Sequence, residues 1–408
     1  MAYCVRCLYS DDHPLGLLLD EDGLCSGCKI HEEKDSIDWA ERFERLQNIV
    51  TDYRSKTGLN YDCIVPITGA RDSYFIVDTV IRRLGLNPLL VSYNRHYNTA
   101  IGHRNIAYLR TIFDCDYYQL TLSPQLVKRI IHSTLERFGS FHWHAIAGQT
   151  VFPVQCAVRL KVPLIIWGAH QGIDQVGMYS HLDEVEMSRR YRKDHDLMGT
   201  EPEDMVSEAH GLPERDLLKL FYPDDREIQK VGIRGIYLGN FIRWDSKAQH
   251  ENMIDRYGYQ TFNQRRTFDT YNDVDCMHYS GLHDLVKYRK LGYGKAVDHA
   301  TREIRLKRLS RYQAIKLVLE YESKVPGDCN QFFNWLEISE PSFWSMINRS
   351  RHNPINSKRF YVSSQSISKH KLDVIDSCEF RTTAPSKNIY SAEDYQLFAR
   401  GYQSRFKA

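Results

Sequence analysis

An apolar run over residues 63–67 stops at Thr68-Gly69-Ala70-Arg71-Asp72-Ser73. It then gives way to apolar residues at helical spacing: Tyr74, Val77, Ile81 and Leu84. A buried strand that turns through a short polar loop directly into a helix has few ways to fold. It aims backbone N–H groups and the positive end of the helix dipole at one point, which makes a cradle for phosphate. The G-x-x-x-x-G-K-[ST] spacing of the Walker loop is absent, so the cradle is of another kind. Thr68, Gly69, Ala70, Arg71, Asp72 and Ser73 are its candidate residues. An ordinary strand-to-helix turn is the plain alternative, but such a turn does not need Thr, Asp and Ser together.

The alternation continues along the chain. The patterns predict a helix over 73–84 closed by Gly85, a strand at 88–93 and a helix near 101–113. A short strand at 117–120 follows, then helices at 124–138 and 145–160 and an apolar strand at 163–167. Continuous apolar strands separated by helices predict an α/β fold, a Rossmann-like parallel sheet with helices on both faces. Such sheets bind ligands at the carboxyl ends of their strands. The polar loop sits at one such end, as do Ser92-Tyr93-Asn94 and Trp167-Gly168. Ahead of the sheet, Asp35 and Ser36 stand as caps before Ile37, Ala40, Phe43, Leu46 and Val50, an amphipathic helix. Beyond about residue 200 the pattern loosens. A strand is expected at 232–238, and 281–325 reads as helix rich in Lys and Arg, by default a solvated face. Residues 350–390, with many Ser, Asn and Lys, read as loops or a mobile tail. The expected units are 1–34, a connecting helix at 35–58, the sheet domain at 59–245, and a mainly helical region at 246–408.

Of ten cysteines, four form the pattern C-x2-C-x17-C-x2-C: Cys4, Cys7, Cys25 and Cys28. Each C-x2-C turn presents two sulfurs to one ion, and tetrahedral Zn²⁺ takes four, so the pattern reads as a zinc ribbon. With all four positions filled by protein, the zinc is structural, and it folds a segment too short to hold a core of its own. An iron–sulfur cluster and disulfides are the alternatives. His13 and His31 lie close by, but the ligand set is complete without them. The remaining cysteines are scattered singly, as core thiols are.

The charge is balanced, 54 basic against 52 acidic residues in 408, so net charge gives no argument for a nucleic-acid partner. No run approaches the roughly 20 apolar residues of a membrane span. The N-terminus lacks a signal peptide's order, so the expected address is cytoplasmic, away from the membrane.

The loop resembles the Ser-Gly-Gly-x-Asp-Ser loop of the PP-loop ATP pyrophosphatases, with Thr68 in place of Ser and Ala70 in place of the second Gly. Both replacements add a methyl group beside the expected pyrophosphate path. Three further segments narrow the resemblance: Tyr93-Asn94-Arg95-His96-Tyr97-Asn98 with Gly102-His103-Arg104-Asn105; Trp143-His144-Ala145-Ile146-Ala147-Gly148-Gln149; and Trp167-Gly168-Ala169-His170-Gln171-Gly172. With the cysteine ribbon and its Asp12-His13-Pro14-Leu15-Gly16 insert, they resemble the N-acetyl sugar amidotransferases of bacterial surface polysaccharide synthesis, over residues 1 to about 310.

The resemblance implies an adenine nucleotide α-hydrolase-like fold and a reaction. ATP adenylates the acetamido oxygen of a nucleotide-linked sugar and releases pyrophosphate, ammonia attacks the carbon, and AMP leaves an acetamidino group. The ammonia is expected from a glutaminase subunit with a cyclase-like barrel partner. Thr68, Gly69, Ala70, Arg71 and Ser73 would hold phosphates, Asp72 would help bind Mg²⁺, and Arg71 would meet the α-phosphate. Ser92, Tyr93 and Asn94 would hold adenine and ribose, and Trp167 and Gly168 would border the α-phosphate. His142, His144 and His170 are candidates for proton transfer. Asp174, Asp183, Glu184 and Glu186 form an acidic cluster, and Arg104, Lys128 and Arg129 are candidates for a diphosphate. The competing reading is a zinc-containing PP-loop enzyme of tRNA thiolation, which needs site cysteines and a basic face. A degenerate nucleotide-binding scaffold, suggested by Ala70, is the third.

Overall fold

The computed structural model describes residues 2–70, 72–207, 211–327 and 329–350. Five strands, β1 (Cys63–Pro66), β2 (Pro88–Tyr93), β3 (Tyr117–Leu120), β4 (Leu164–Trp167) and β5 (Arg234–Tyr237), form one parallel sheet in the order β3-β2-β1-β4-β5. Side chains alternate between faces along each strand. Cys63 and Val65 therefore join one core cluster with Leu90, Leu164 and Ile166, while Ile64 joins another with Leu89, Val91 and Ile165. Both faces of β1, β2 and β4 are dry, which explains why these strands read as unbroken apolar runs.

Helices cover each face. α1 (Ser26–Glu33) closes the ribbon, and α2 (Trp39–Tyr53), α3 (Ser73–Asp78) and α4 (Ala100–Ile112) supply Leu46, Val77 and Leu109 to the first cluster. α5 (Pro124–Phe138) is followed by α6 (Trp143–Leu160), which lays Phe152, Cys156 and Ala157 on the second face. The chain moves from β1 outward to β2 and β3, then returns to the far side of β1 for β4 and β5. Sheets of this order open a crevice at the reversal, between the carboxyl ends of β1 and β4. Beyond the sheet come helices Ser246–Tyr257, Asp284–Leu291, Lys295–Arg305 and Arg311–Glu322. No helix among the described residues is long and apolar enough to cross a membrane.

Three expectations need correction. α2 starts at Trp39, because Asp38 accepts from the Ala40 and Glu41 N–H groups; Asp35 instead pairs with Arg243 at 2.6 Å, and the Ser36 hydroxyl donates to the Glu33 carbonyl. The helix expected over 73–84 loosens after Asp78 into a wider turn, Thr79–Arg83, before Gly85 at φ +62. The basic stretch is a solvated face only in part: Arg289 and Lys307 are exposed, but Lys295 and Arg305 are buried, for a reason given below. The tail expected at 350–390 lies, beyond Ser350, outside the described residues.

Ala70 finds its explanation in the core. It is completely buried within the cluster of Tyr74 and Val77, so its methyl group does not project into the mouth of the loop. Its neighbour cannot carry such a group: a Cβ on Gly69 would lie 2.2 Å from the Gly102 carbonyl oxygen. The two substitutions should therefore differ in kind. Gly69→Ala must displace backbone and should lower stability by about 1–3 kcal/mol. Ala70→Gly should cost about 1 kcal/mol, the loss of one buried methyl, without moving the loop. Urea unfolding of both variants checks the contrast, and equal losses would contradict it.

Candidate functional site

The loop after β1 closes on its own side chains. The Thr68 N–H donates to Ser73 Oγ at 2.9 Å, the Ser73 hydroxyl donates to the Ala70 carbonyl at 2.9 Å, and the Ala70 N–H donates to Thr68 Oγ1 at 3.2 Å. Thr and Ser thus fix the turn that delivers Asp72. Asp72 holds the N-cap position of α3, yet its carboxylate makes no capping bond. It lies 4.0 Å from His250 Nδ1 and faces a cavity of about 590 Å³. Arg71 lies outside the described residues.

Three parts of the chain wall this cavity. The carboxyl ends of the strands give Asp72, Trp167 and Tyr237, the ribbon gives Tyr9, His13, His31 and Lys34, and the C-terminal region gives Asp273, Lys287, Lys295, Asp298, His299 and Arg302. The Trp167 indole N–H is buried and meets no acceptor among the described residues, which leaves a donor at the wall for a ligand. The 295–305 helix explains the misread basic stretch. Ala296, Val297, Ala300 and Ile304 share one side, packed against the ribbon, and this turns Lys295, His299 and Arg302 toward the cavity. There Lys295 donates to Gln264 Oε1 at 2.5 Å, and Arg302 donates to Asp269 at 3.0 Å and to the Tyr271 hydroxyl at 2.7 Å. Burial alone would raise the Asp269 carboxyl, but His299 and Arg302 hold it well below the usual carboxylate range.

Several residues expected at the site sit elsewhere. The Ser92 hydroxyl accepts from Gln119 at 3.1 Å, and Tyr93 and Asn94 are likewise engaged inside the fold. None of the three lines the cavity, nor does Gly168. His144 is completely buried, with Tyr93 Oη and Tyr97 Oη each 3.2 Å from a ring nitrogen, and burial drops its pKa to about 3. His170 packs among Tyr179, Tyr191 and Tyr237 behind the wall, and burial drops it to about 4. His142 packs on Tyr279 and His283. The structure keeps all three histidines off the cavity surface. The acidic cluster disperses: Asp174 pairs with Lys34, Glu184 with Arg42 and Arg45, and Glu186 with Arg234, while Asp183 accepts from the Ser180 N–H. Of these only Asp174 reaches the cavity. Arg104 donates to the Gly258 carbonyl, Lys128 pairs with Glu337, and Arg129 pairs with Asp216; none reaches the cavity.

The four ribbon cysteines converge. Their sulfurs all lie within 4.8 Å of one another, with Cys7 and Cys25 at 3.6 Å and Cys4 and Cys28 at 4.0 Å. A tetrahedral zinc with bonds of about 2.3 Å needs sulfurs about 3.8 Å apart, so the set fits. The Arg6, Cys7 and Cys25 N–H groups donate to Cys4 Sγ, and the Arg305 guanidinium stands 3.6 Å from Cys25 Sγ, contacts that favour thiolates.

Residues 252–368 match the family model described as LPS biosynthesis protein WbpG-like, C-terminal domain. That match covers under a third of the chain and accords with the resemblance to enzymes of bacterial surface polysaccharide synthesis. Its range takes in the helix that turns Lys295, His299 and Arg302 to the cavity. Among solved structures, NMN synthetase from Francisella tularensis overlaps 48% of this chain and 85% of its own, at 12% identity and a TM-score of 0.26, a likeness too slight to carry an argument. No curated protein matches the chain.

Two outcomes follow from this geometry. Purified protein should carry about one zinc per chain, and Cys25→Ser should lose it and melt lower; elemental analysis with thermal melts checks this, and metal-free protein of full stability would contradict it. His170 is buried neutral with a folded pKa near 4, below its unfolded value of 6.5. The unfolded chain therefore binds the extra proton, and stability falls as pH drops through that window, by up to about 1.4 kcal/mol per unit for this group. His170→Phe fills the same aromatic nest without titrating. Urea unfolding at pH 7.5 and 5 should show the variant losing less stability on acidification than the parent.

Proposed function

We propose that the chain is an ATP-using enzyme of lipopolysaccharide biosynthesis that converts an acetamido group on a nucleotide-linked sugar to acetamidino. The observation that carries this reading is Asp72. It is a carboxylate at the start of a helix that follows a Thr/Ser-closed loop, with no capping bond of its own, turned into a large cavity at the sheet's switch point. A Mg²⁺ there would take Asp72 as an oxygen ligand and neutralise charge on the departing pyrophosphate. The loop and the α3 N-terminus would hold phosphate, and the Trp167 N–H would donate to a ligand oxygen.

The chemistry needs both substrates in one enclosure. An amide is a weak electrophile with a poor oxygen leaving group. Attack of the amide oxygen on the α-phosphate expels pyrophosphate and makes the oxygen a good leaving group. Ammonia then adds at the carbon, and AMP departs with the oxygen. Lys295, Arg302 and the ribbon's Lys34 give the cavity positive charge suited to a sugar nucleotide's diphosphate. Ammonia would come from a glutaminase subunit with a cyclase-like partner, and the reaction would run in the cytoplasm. Thiolation of tRNA is less well supported, since no cysteine among the described residues lines the cavity.

The test is pyrophosphate release from ATP with an acetamido sugar nucleotide and ammonium chloride. Release should require both, and Asp72→Asn should lower it at least 100-fold while leaving zinc bound. Release without sugar, or full activity in the variant, would overturn the reading.

A further inference from the structure

The Arg192–Asp196 segment is a single wide helical turn, a form frequent at functional sites. It brings Asp196 to the cavity wall beside Tyr191 and Tyr237. Among the described residues the Asp196 carboxylate makes no hydrogen bond or ion pair. The cation that acts on it, Arg192, is committed elsewhere, to Glu201 at 2.6 Å and Thr150 at 2.9 Å. Burial pushes the Asp196 carboxyl up to about 7, against the pull of Arg192. The rings of Tyr191 and Tyr237 are fixed by packing on His170, at 4.3 and 4.7 Å between centroids.

A half-buried carboxylate with no ion-pair partner among the described residues calls for a cation more than for a neutral hydroxyl. Two tyrosines held next to it add ring faces and hydroxyl oxygens, which attract a small ion carrying N–H donors. Tyr237 pairs in register with Trp167, and β4 lies next to β1, whose loop carries Asp72. Tyr237 therefore stands about two strand spacings, roughly 10 Å, from the strand bearing the Asp72 loop, and Asp196 lines the same cavity wall. We propose that Asp196, Tyr191 and Tyr237 form a receiving site for ammonium on the wall of the reaction cavity. At that site a proton passes from the ammonium nitrogen to the carboxylate oxygen, leaving neutral ammonia as the nucleophile. The use made of the ion rests on the amidination reading, but its binding does not.

The experiment compares melting of the full chain in ammonium, potassium and sodium chloride at equal ionic strength. Ammonium should raise the melting temperature above both other salts, Asp196→Asn should abolish that difference, and Asp196→Glu should keep part of it. Equal melting of the parent in ammonium and potassium would overturn the proposal, whether or not any variant folds. An unchanged ammonium effect in Asp196→Asn would overturn it as well. With ammonium as nitrogen source, Asp196→Asn should raise the KM for ammonium at least tenfold and leave the KM for ATP in place. Ammonium-specific stabilisation without sugar-dependent pyrophosphate release would uphold the site and refute the amidination reading instead.

Discussion

The side-chain amide of Asn105, fully buried on α4, donates to the Gly69 carbonyl and to the Gln260 carbonyl, both at 3.0 Å, and accepts from the Gln260 N–H at 3.0 Å. It joins the loop after β1 to the C-terminal segment as a strand pair would. Removing it would strand buried polar groups on both sides, each worth about 1–3 kcal/mol. The contact exists only because Gly69 and Gly102 let two backbones touch. Next to it, the Thr99 N–H donates to the Asp275 carbonyl at 3.0 Å, and Arg95 forms a buried ion pair with Asp275. These contacts bring Asn272 and Asp273 to the cavity beside Asp72. The sheet alone would offer a crevice; the docked segment makes it an enclosure.

Charge in this chain is sorted by location. A net charge of +2 says nothing of the cavity, whose wall carries Lys287, Lys295, Arg302 and Arg305 together with Asp273 and Asp298. Much of this charge is paired already, Lys287 with Asp298 and Arg302 with Asp269. A ligand entering here competes with pairs that exist, and this favours partners able to accept several hydrogen bonds at once.

The sheet is legible because the inner strands β1, β2 and β4 are buried on both faces and read as apolar runs, and the bounds 88–93 and 117–120 agree to the residue. The cysteine pattern was legible because metal geometry fixes its spacing. Ala70 was misjudged because sequence shows that a methyl is present but not which way it points. The strand-end motif at 92–94 is expected at a ligand, but its side chains hydrogen-bond to Gln119, His144 and Asn98 within the fold and do not line the cavity. The 295–305 helix was misread because a charged face looks the same in sequence whether it meets water or a cavity; only the apolar side's partner, the ribbon, distinguishes them. Asp196 carried no signal at all, since its environment is assembled from β5, α6 and a turn far apart in the chain.

The Lys34–Asp174 bridge at 2.6 Å and the bond from Tyr9 to Asp298 at 2.8 Å tie the ribbon to both other walls. The ribbon is then a lid as much as a fold unit, and a metal held by its four cysteines would pin that lid in place. Loss of such a metal would leave the cavity unroofed and open to water, so metal supply would act on the site without touching a single group inside it.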